Sequence, residues 1–518
     1  MNRHILAWVA SAALLGAAGA APAMADDSGA TQALGQSATN QQSADSNATS
    51  TQVAPSNQNI SVRVLSPGNN GPVTQTNSSQ ALSAAGNLNK TSQSASQTQG
   101  GGGGTQAADQ TAASKQSADA DASSKQEHPS NQNIDVRVLS PGDNGSVSQT
   151  NASQAEALAG NANKTEQTAD QTQGGGGGTQ AADQQAYNHQ KADADAKSTQ
   201  VEPSNQNIGV RVLSPGDNGS VKQTNASEAA AVAGNLNKTT QDASQDQGAS
   251  HPLSNDRCHS SCDGGSTGIQ ALGQTAVNKQ DADADASSTQ IHPSNVNTPV
   301  RVGSPGDDGK VEQANVSSAV ALAGNANKTE QSAEQSQGGG REAATPRCDQ
   351  GCGDHSDGTA IQALGQAAYS DQKADADATS KQTGASNVNA PVRVGSQGDG
   401  GSVHQVNASG AEALALNLND TEQSAEQEQS GHGHGTAIQA LGQEAGNQQH
   451  ADADATSEQI CPVNLNAPVS VGSQDHGKKR SKSPKTPKGG SVMQANLSAA
   501  ASAAGNKNHL TQWGSQHQ

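Results

Sequence analysis

Along residues 149–173 every second position belongs to a narrow set of amides and small side chains. The series is Gln149, Asn151, Ser153, Ala155, Ala157, Ala159, Asn161, Asn163, Thr165, Gln167, Ala169, Gln171 and Gln173. It recurs over 75–99 and 313–337. The residues between drift, with Ser148, Thr150 and Ala152 in one place and Val316, Ser318 and Val320 in another. Successive side chains of a strand point to opposite faces, so one face fixed at period two predicts β-structure; a helix would fix positions three and four apart.

A second block behaves likewise. Ala276, Asn278, Gln280, Ala282, Ala284, Ala286, Ser288 and Gln290 form its fixed face, and Asp281, Asp283 and Asp285 fall opposite. Strands usually run about 3–10 residues. Each block is therefore expected to break into several strands, with bends at Gly86, Gly160, Gly234 and Gly324. Between the blocks, Ile134, Val136 and Val138 alternate, residues 141–145 (PGDNG) follow, and Val147 resumes; this pattern predicts an apolar hairpin.

The two blocks repeat six times. The first begins at Gln32, Gln106, Gln180, Gln270, Gln362 and Gln439. Spacings are 74 for the first two steps, then 90, 92 and 77 residues. The units expected are 26–104, 105–178, 179–268, 269–360, 361–437 and 438–518, the last with a basic insertion at 476–490. Glycine runs at 100–104 and 174–178 predict partly disordered connectors.

Composition changes what the interior can be. Phe is absent and aromatic residues make up 1% of the 518. Conventional cores draw roughly 1.5–3 kcal/mol from each large buried apolar side chain, and this chain cannot fill several such cores. A face of Asn, Gln, Ser and Ala can instead be buried if like amides stack and hydrogen-bond at the ~4.8 Å strand spacing. Repetition supplies the stacking neighbour. The expectation is an all-β, elongated β-solenoid of six stacked repeats. A disordered, wall-associated spacer is the competing reading.

The strings at 160–173 (GNANKTEQTADQTQ) and 86–99 (GNLNKTSQSASQTQ) resemble curlin-type repeats over about half of each unit. The resemblance implies extracellular amyloid fibres of a bacterial surface. It also implies that Asn161, Asn163, Gln167, Asn325, Asn327 and Gln331 form stacking ladders and not binding sites. The chain departs from that pattern in its long units, its VRVLSPGDNG segment and its cysteines.

The first 25 residues read as a secretory signal peptide. A charged start leads into an apolar run over 5–21, then Ala23, Met24 and Ala25 precede Asp26. The expected location is extracellular or at the cell surface, with no transmembrane segment in the mature chain. A net charge of −19 argues against nucleic acid as a partner. Self-association or a cell-surface polymer is expected instead, the basic stretch 476–490 being one candidate for the latter.

Cys258, Cys262, Cys348 and Cys352 are expected to form disulfides in that compartment, within each loop or between repeats, with Cys461 unpaired. A zinc site from the four thiolates is the alternative. No cofactor is expected. The DADADA runs lack EF-hand spacing, because the loop counted from Asp281 places Ala286 and His292 where Gly and Glu are needed. If the repeats stack, Asp121, Asp195, Asp285, Asp377 and Asp454 make an acidic ladder that could hold calcium weakly. No catalytic motif is present, and the expectation is a non-enzymatic structural protein.

Overall fold

The computed structural model describes residues 11–12, 23–25, 31–100, 103–174, 177–248, 267–338, 359–430, 436–472 and 490–517; every regular element in them is a strand. Each repeat forms one rung of three strands. In the second rung these are Thr105–Glu127, Ser130–Val138 and Val147–Gln173. Equivalent strands of successive rungs pair in parallel, giving three sheets stacked in sequence order. The protein is a β-solenoid.

Cross-layer hydrogen bonds trace the path of a rung. Gln36 Nε2 reaches Ser94 O at 2.8 Å, Gln42 Nε2 reaches Leu88 O at 3.1 Å, and Asn57 Nδ2 reaches Thr76 O at 3.0 Å. The first long strand and the middle strand therefore run the same way in one layer, and the second long strand returns beneath both. In the fifth and sixth rungs the middle strand splits before Pro391 and Pro468, because Pro299 and Pro391 of the preceding rungs have no N–H to complete the ladder there. At roughly 3.3 Å per residue and ~4.8 Å per rung, the molecule is longest along its strands and shorter along the stack.

Register is held by the pattern that marked the strands. Val147–Gln173 pairs residue for residue with Val73–Gln99 on one side and Val221–Gln247 on the other. A slip of one residue would turn every inward Asn and Ala to solvent. At mid-strand the two layers meet through alanine: Ala118, Ala120 and Ala122 share one buried cluster with Ala155, Ala157 and Ala159. Side chains this small let the sheets approach closely.

Two expectations need correction. The long blocks do not bend at Gly86, Gly160, Gly234 or Gly324; each block is one strand of 23 to 28 residues. Like strands in register support the backbone along its whole length, on both sides of an inner rung and on one side of an end rung, so the usual limit set by domain size does not apply. The apolar hairpin does not form. Ile134, Val136 and Val138 pair with their counterparts in adjacent rungs, and residues 141–145 fold one sheet over another as an arch. The apolar side of that segment faces outward, with Val62 62% exposed, while Asn133, Asp135 and Arg137 face in.

Two short strands near the start, Ser11–Ala12 and Ala23–Ala25, lie in parallel on the outer edge of Val73–Gln99. Among the described residues no helix is long and apolar enough to cross a membrane.

Candidate functional site: amide ladders and a buried arginine column

The inward amides form continuous ladders. Asn161 and Asn163 donate to Asn235 and Asn237 at 2.9 and 2.8 Å, and Asn325 and Asn327 donate to Asn417 and Asn419 at the same distances. Gln167 donates to Gln93 at 2.8 Å and accepts from Gln241, which in turn accepts from Gln331 at 2.7 Å. The second hydrogen of these amides crosses to the facing sheet. Gln116 Nε2, for example, reaches Gln42 Oε1 at 2.8 Å and Ala162 O at 3.1 Å. Amides that bond along and across the stack satisfy a polar interior that would otherwise cost about 1–3 kcal/mol per unpaired group.

The columns have a direction. Inward glutamines donate towards the first rung, as Gln180 does to Gln106 and Gln106 to Gln32. Inward asparagines donate towards the sixth, as Asn87 does to Asn161 and Asn161 to Asn235. The two sets of side-chain dipoles oppose each other. Serine hydroxyls add a zigzag between the layers: Ser124 bonds Ser79 at 3.0 Å and Ser153 at 2.9 Å, and Ser288 links Ser227 and Ser317 in the same way.

The arch tip encloses charge. Arg63, Arg137, Arg211, Arg301 and Arg393 occupy one column, replaced by Ser470 in the sixth rung. Arg211 is buried and hydrogen-bonded through all three guanidinium nitrogens. It donates to Asn218 Oδ1 at 3.0 Å and to the carbonyls of Gly142, Gly216 and Asp217 at 2.9, 3.0 and 2.7 Å. Burial, and then the like charges of Arg301 and Arg137, lower its pKa to about 10, which leaves it charged at neutral pH.

Two carboxylates, Asp135 buried and Asp308 partly buried, answer this charge. Asp308 lies 3.0 Å from Arg301 Nε and 2.6 Å from Arg393 Nη2, joining two rungs. Asp135 accepts from Asn70 at 2.6 Å; its Oδ2 has no hydrogen bond and sits 3.7 Å from Arg137 Nε. Beside them runs a cavity of about 220 Å³ along the stack, lined by Asn133, Asn207, Val147, Val221, Asp135 and Asp308 among others.

Compared with protein families, curated proteins and solved structures, the chain matches none. Its residues must carry the functional argument.

Outside, the DADADA segments stack into two acidic columns, with Asp121, Asp195, Asp285, Asp377 and Asp454 in one. Burial and then the like charges of Asp285, Asp193 and Asp375 push Asp283 up to about 6. Asp195, although its surface is exposed, is also raised to about 6, by desolvation and then by Asp193, Asp285 and Asp121. Among the described residues no three His, Cys, Asp or Glu side chains converge on a metal position. Cys258, Cys262, Cys348 and Cys352 lie outside the described residues, as does nearly all of 476–490; Cys461 is exposed and free.

The arginine column went unnoticed in the sequence although its signal was there. In VRVLSPGDNG the valines hold the outward positions, so period two sends Arg137 to the face shared with Asn131 and Asn133.

Proposed function

We propose that this chain is a secreted structural protein of the cell surface, spore coat or extracellular matrix, performing no catalysis. The observation that carries the reading is the copying of one inward face through six rungs. Gln149, for instance, has the same role as Gln75, Gln223, Gln313 and Gln405. Serial copies serve stacking and stiffness, whereas a catalytic centre needs one unique arrangement. The fixed residues face their counterparts in the stack, and the drifting residues face outward.

The test is to follow the protein in cells that make it, by fractionation and surface immunolabelling, with circular dichroism and protease digestion of the purified chain. A β-rich, protease-resistant protein outside the cytoplasm is expected. Cytoplasmic retention, or a coil spectrum with rapid digestion, would overturn the proposal.

A second reading rests on the outward acidic columns. Carboxylates one rung apart repel each other, and a divalent cation between them would relieve that repulsion, giving an extended surface that holds calcium loosely. Calcium raising the unfolding temperature of the wild type, but not of a variant with Asp193, Asp195, Asp283 and Asp285 changed to Asn, would favour it. An equal response in both would remove it.

A further inference from the structure

We propose that the two ends of the stack are complementary and join copies of this chain head to tail, the sixth rung of one on the first rung of the next. The proposal deepens the structural reading above and rests on it. Each end presents strand edges of unusual length: among the described residues the sixth-rung edge is unpaired, and the first-rung edge is covered only in part, by Ser11–Ala12 and Ala23–Ala25. The long strands of the sixth rung contain 25 and 26 residues, and each alone supplies as many as the about 20–30 per side found in a standard protein interface.

The direction of the ladders decides the orientation. At the sixth rung Asn506 and Asn508 accept from Asn417 and Asn419, and among the described residues their own Nδ2 groups have no acceptor. At the first rung Asn87 and Asn89 donate to Asn161 and Asn163, and among the described residues their Oδ1 atoms receive no hydrogen bond. Glutamine runs the other way: Gln449 and Gln459 donate to Gln372 and Gln382, which leaves their Oε1 atoms open. The opposite end holds Gln42 and Gln52, whose oxygens accept from Gln116 and Gln126. Head-to-tail contact gives every open acceptor a donor. Head-to-head contact sets like against like.

The columns also match across such a junction. Following the pairing registers, the inward residues of the long strands are the same in rungs six and one except for Ala453 against Ser46, Leu510 against Thr91 and Gly514 against Ala95. Ser502 and Ser83 share a column whose other members are alanine. Ser470 would meet Arg63, interrupting the arginine column once per molecule. The layers are staggered as well: Asn417 Nδ2 reaches across to His450 O in the next rung at 2.6 Å, and the counterpart for Asn506 is Ser43 O of the following copy. In the complete chain the strands Ser11–Ala12 and Ala23–Ala25 lie on part of the first-rung edge and must leave it.

Cys461 supplies the test. It continues the column of Ala54, His128, Glu202, His292 and Gly384 at the bend before the middle strands, where neighbouring side chains meet: His128 Nδ1 lies 3.0 Å from Glu202 Oε2. In a head-to-tail stack residue 54 of one copy lies one strand spacing, about 4.8 Å, from Cys461 of another, within the Cα separation of about 4.4–6.8 Å that disulfides need. Secreted, leader-processed Ala54→Cys protein is concentrated and mildly oxidised, run without reductant, and its links mapped by peptide analysis. The expected result is a ladder of oligomers joined from Cys461 of one copy to the thiol introduced at position 54 of the next, at least tenfold above the unsubstituted chain. The further variant Asn506→Asp with Asn508→Asp keeps the acceptors for Asn417 and Asn419 but removes the outgoing donors, and should lose that ladder while keeping its circular dichroism. Links only between like positions, or no links in a β-rich monomer, would overturn head-to-tail joining and leave the structural reading standing. A coil spectrum would overturn both.

Discussion

Arg137 donates from Nη1 to the carbonyl oxygen of Gly68, one rung away, at 2.7 Å, and Arg211 repeats the bond to Gly142 at 2.9 Å. Each guanidinium thus ties its own arch to the previous one. Stacking such groups one strand spacing apart sets like charges together, so the bonds they make must outweigh both repulsion and desolvation.

Arg211→Met separates these terms. The substitution relieves repulsion with Arg137 and Arg301 but leaves the carbonyls of Gly142, Gly216 and Asp217 without their donor. Unmet buried acceptors cost about 1–3 kcal/mol each, so the loss should win, by about 3 kcal/mol. Repeat proteins respond locally, and faster amide hydrogen exchange should appear over residues 139–147 and 213–221. Unchanged exchange there would mean that the column contributes no net stability.

The two carboxylates at the arch tip predict unequal effects. In Asp308, Oδ1 accepts from Arg301 Nε and Oδ2 from two Arg393 donors at 2.6 to 3.0 Å, so Asp308→Asn keeps one oxygen and turns an NH2 towards one of the two arginines. Removing one partner of a buried pair costs about 3–5 kcal/mol. Asp135→Asn can keep the oxygen that accepts from Asn70 and turn its amide to the side that lacks a hydrogen bond. Urea denaturation should therefore show a larger loss for Asp308→Asn than for Asp135→Asn, and the reverse order would contradict this account of the tip.

Much of this architecture was legible because six copies display which positions are fixed. Period two in 149–173 marks the strands and their fixed face, and the resemblance to curlin-type repeats points to the ladder residues on it. What was not legible concerns where strands go. The turn signal at 141–145 is the same for a hairpin and an arch; the choice depends on whether adjacent rungs already occupy the backbone groups of Ser130–Val138. Strand length was misjudged for the same reason, since the neighbour that supports residue 160 is another copy, residue 234. The buried arginines were hidden because alternation alone does not say which face of Ser130–Val138 turns inward.

Acid should stabilise the fold through its outward aspartates. Asp283 and Asp195 are raised to about 6 from an ordinary value of 3.8. The folded chain therefore binds their protons more tightly than the unfolded chain. Stability is lowest above pH 6, rises as pH falls through 6, and levels off below about 4, where both states are protonated. Lys373 moderates the effect at Asp283. Asp283→Asn should raise the unfolding temperature at pH 7.5 and flatten its dependence between pH 7.5 and 4.5. A midpoint that falls on acidification over that window would reverse the sign and refute the repulsion argument.

The interior makes the sharpest claim, that a polar residue is better there than an apolar one of similar size. Gln167 Nε2 donates to Gln93 Oε1 at 2.8 Å, Gln110 O at 3.0 Å and Gln185 O at 3.1 Å, and its Oε1 accepts from Gln241 at 2.8 Å. Gln167→Leu gains hydrophobic transfer energy of about 1.5–3 kcal/mol. Against this, Gln241 loses its acceptor and Gln93 its donor in a closed interior, at about 1–3 kcal/mol each, and a branched side chain strains a column shaped for a straight one. The expected balance is a net loss of about 1–3 kcal/mol. Thr168→Leu, on the outward face of the same strand, should stay within about 0.5 kcal/mol. Both variants are measured by urea denaturation, with exchange at Gln93 and Gln241 locating the damage. If Gln167→Leu matched or exceeded the wild type in stability, the ladders would be a tolerated consequence of repetition and not what holds the rungs together.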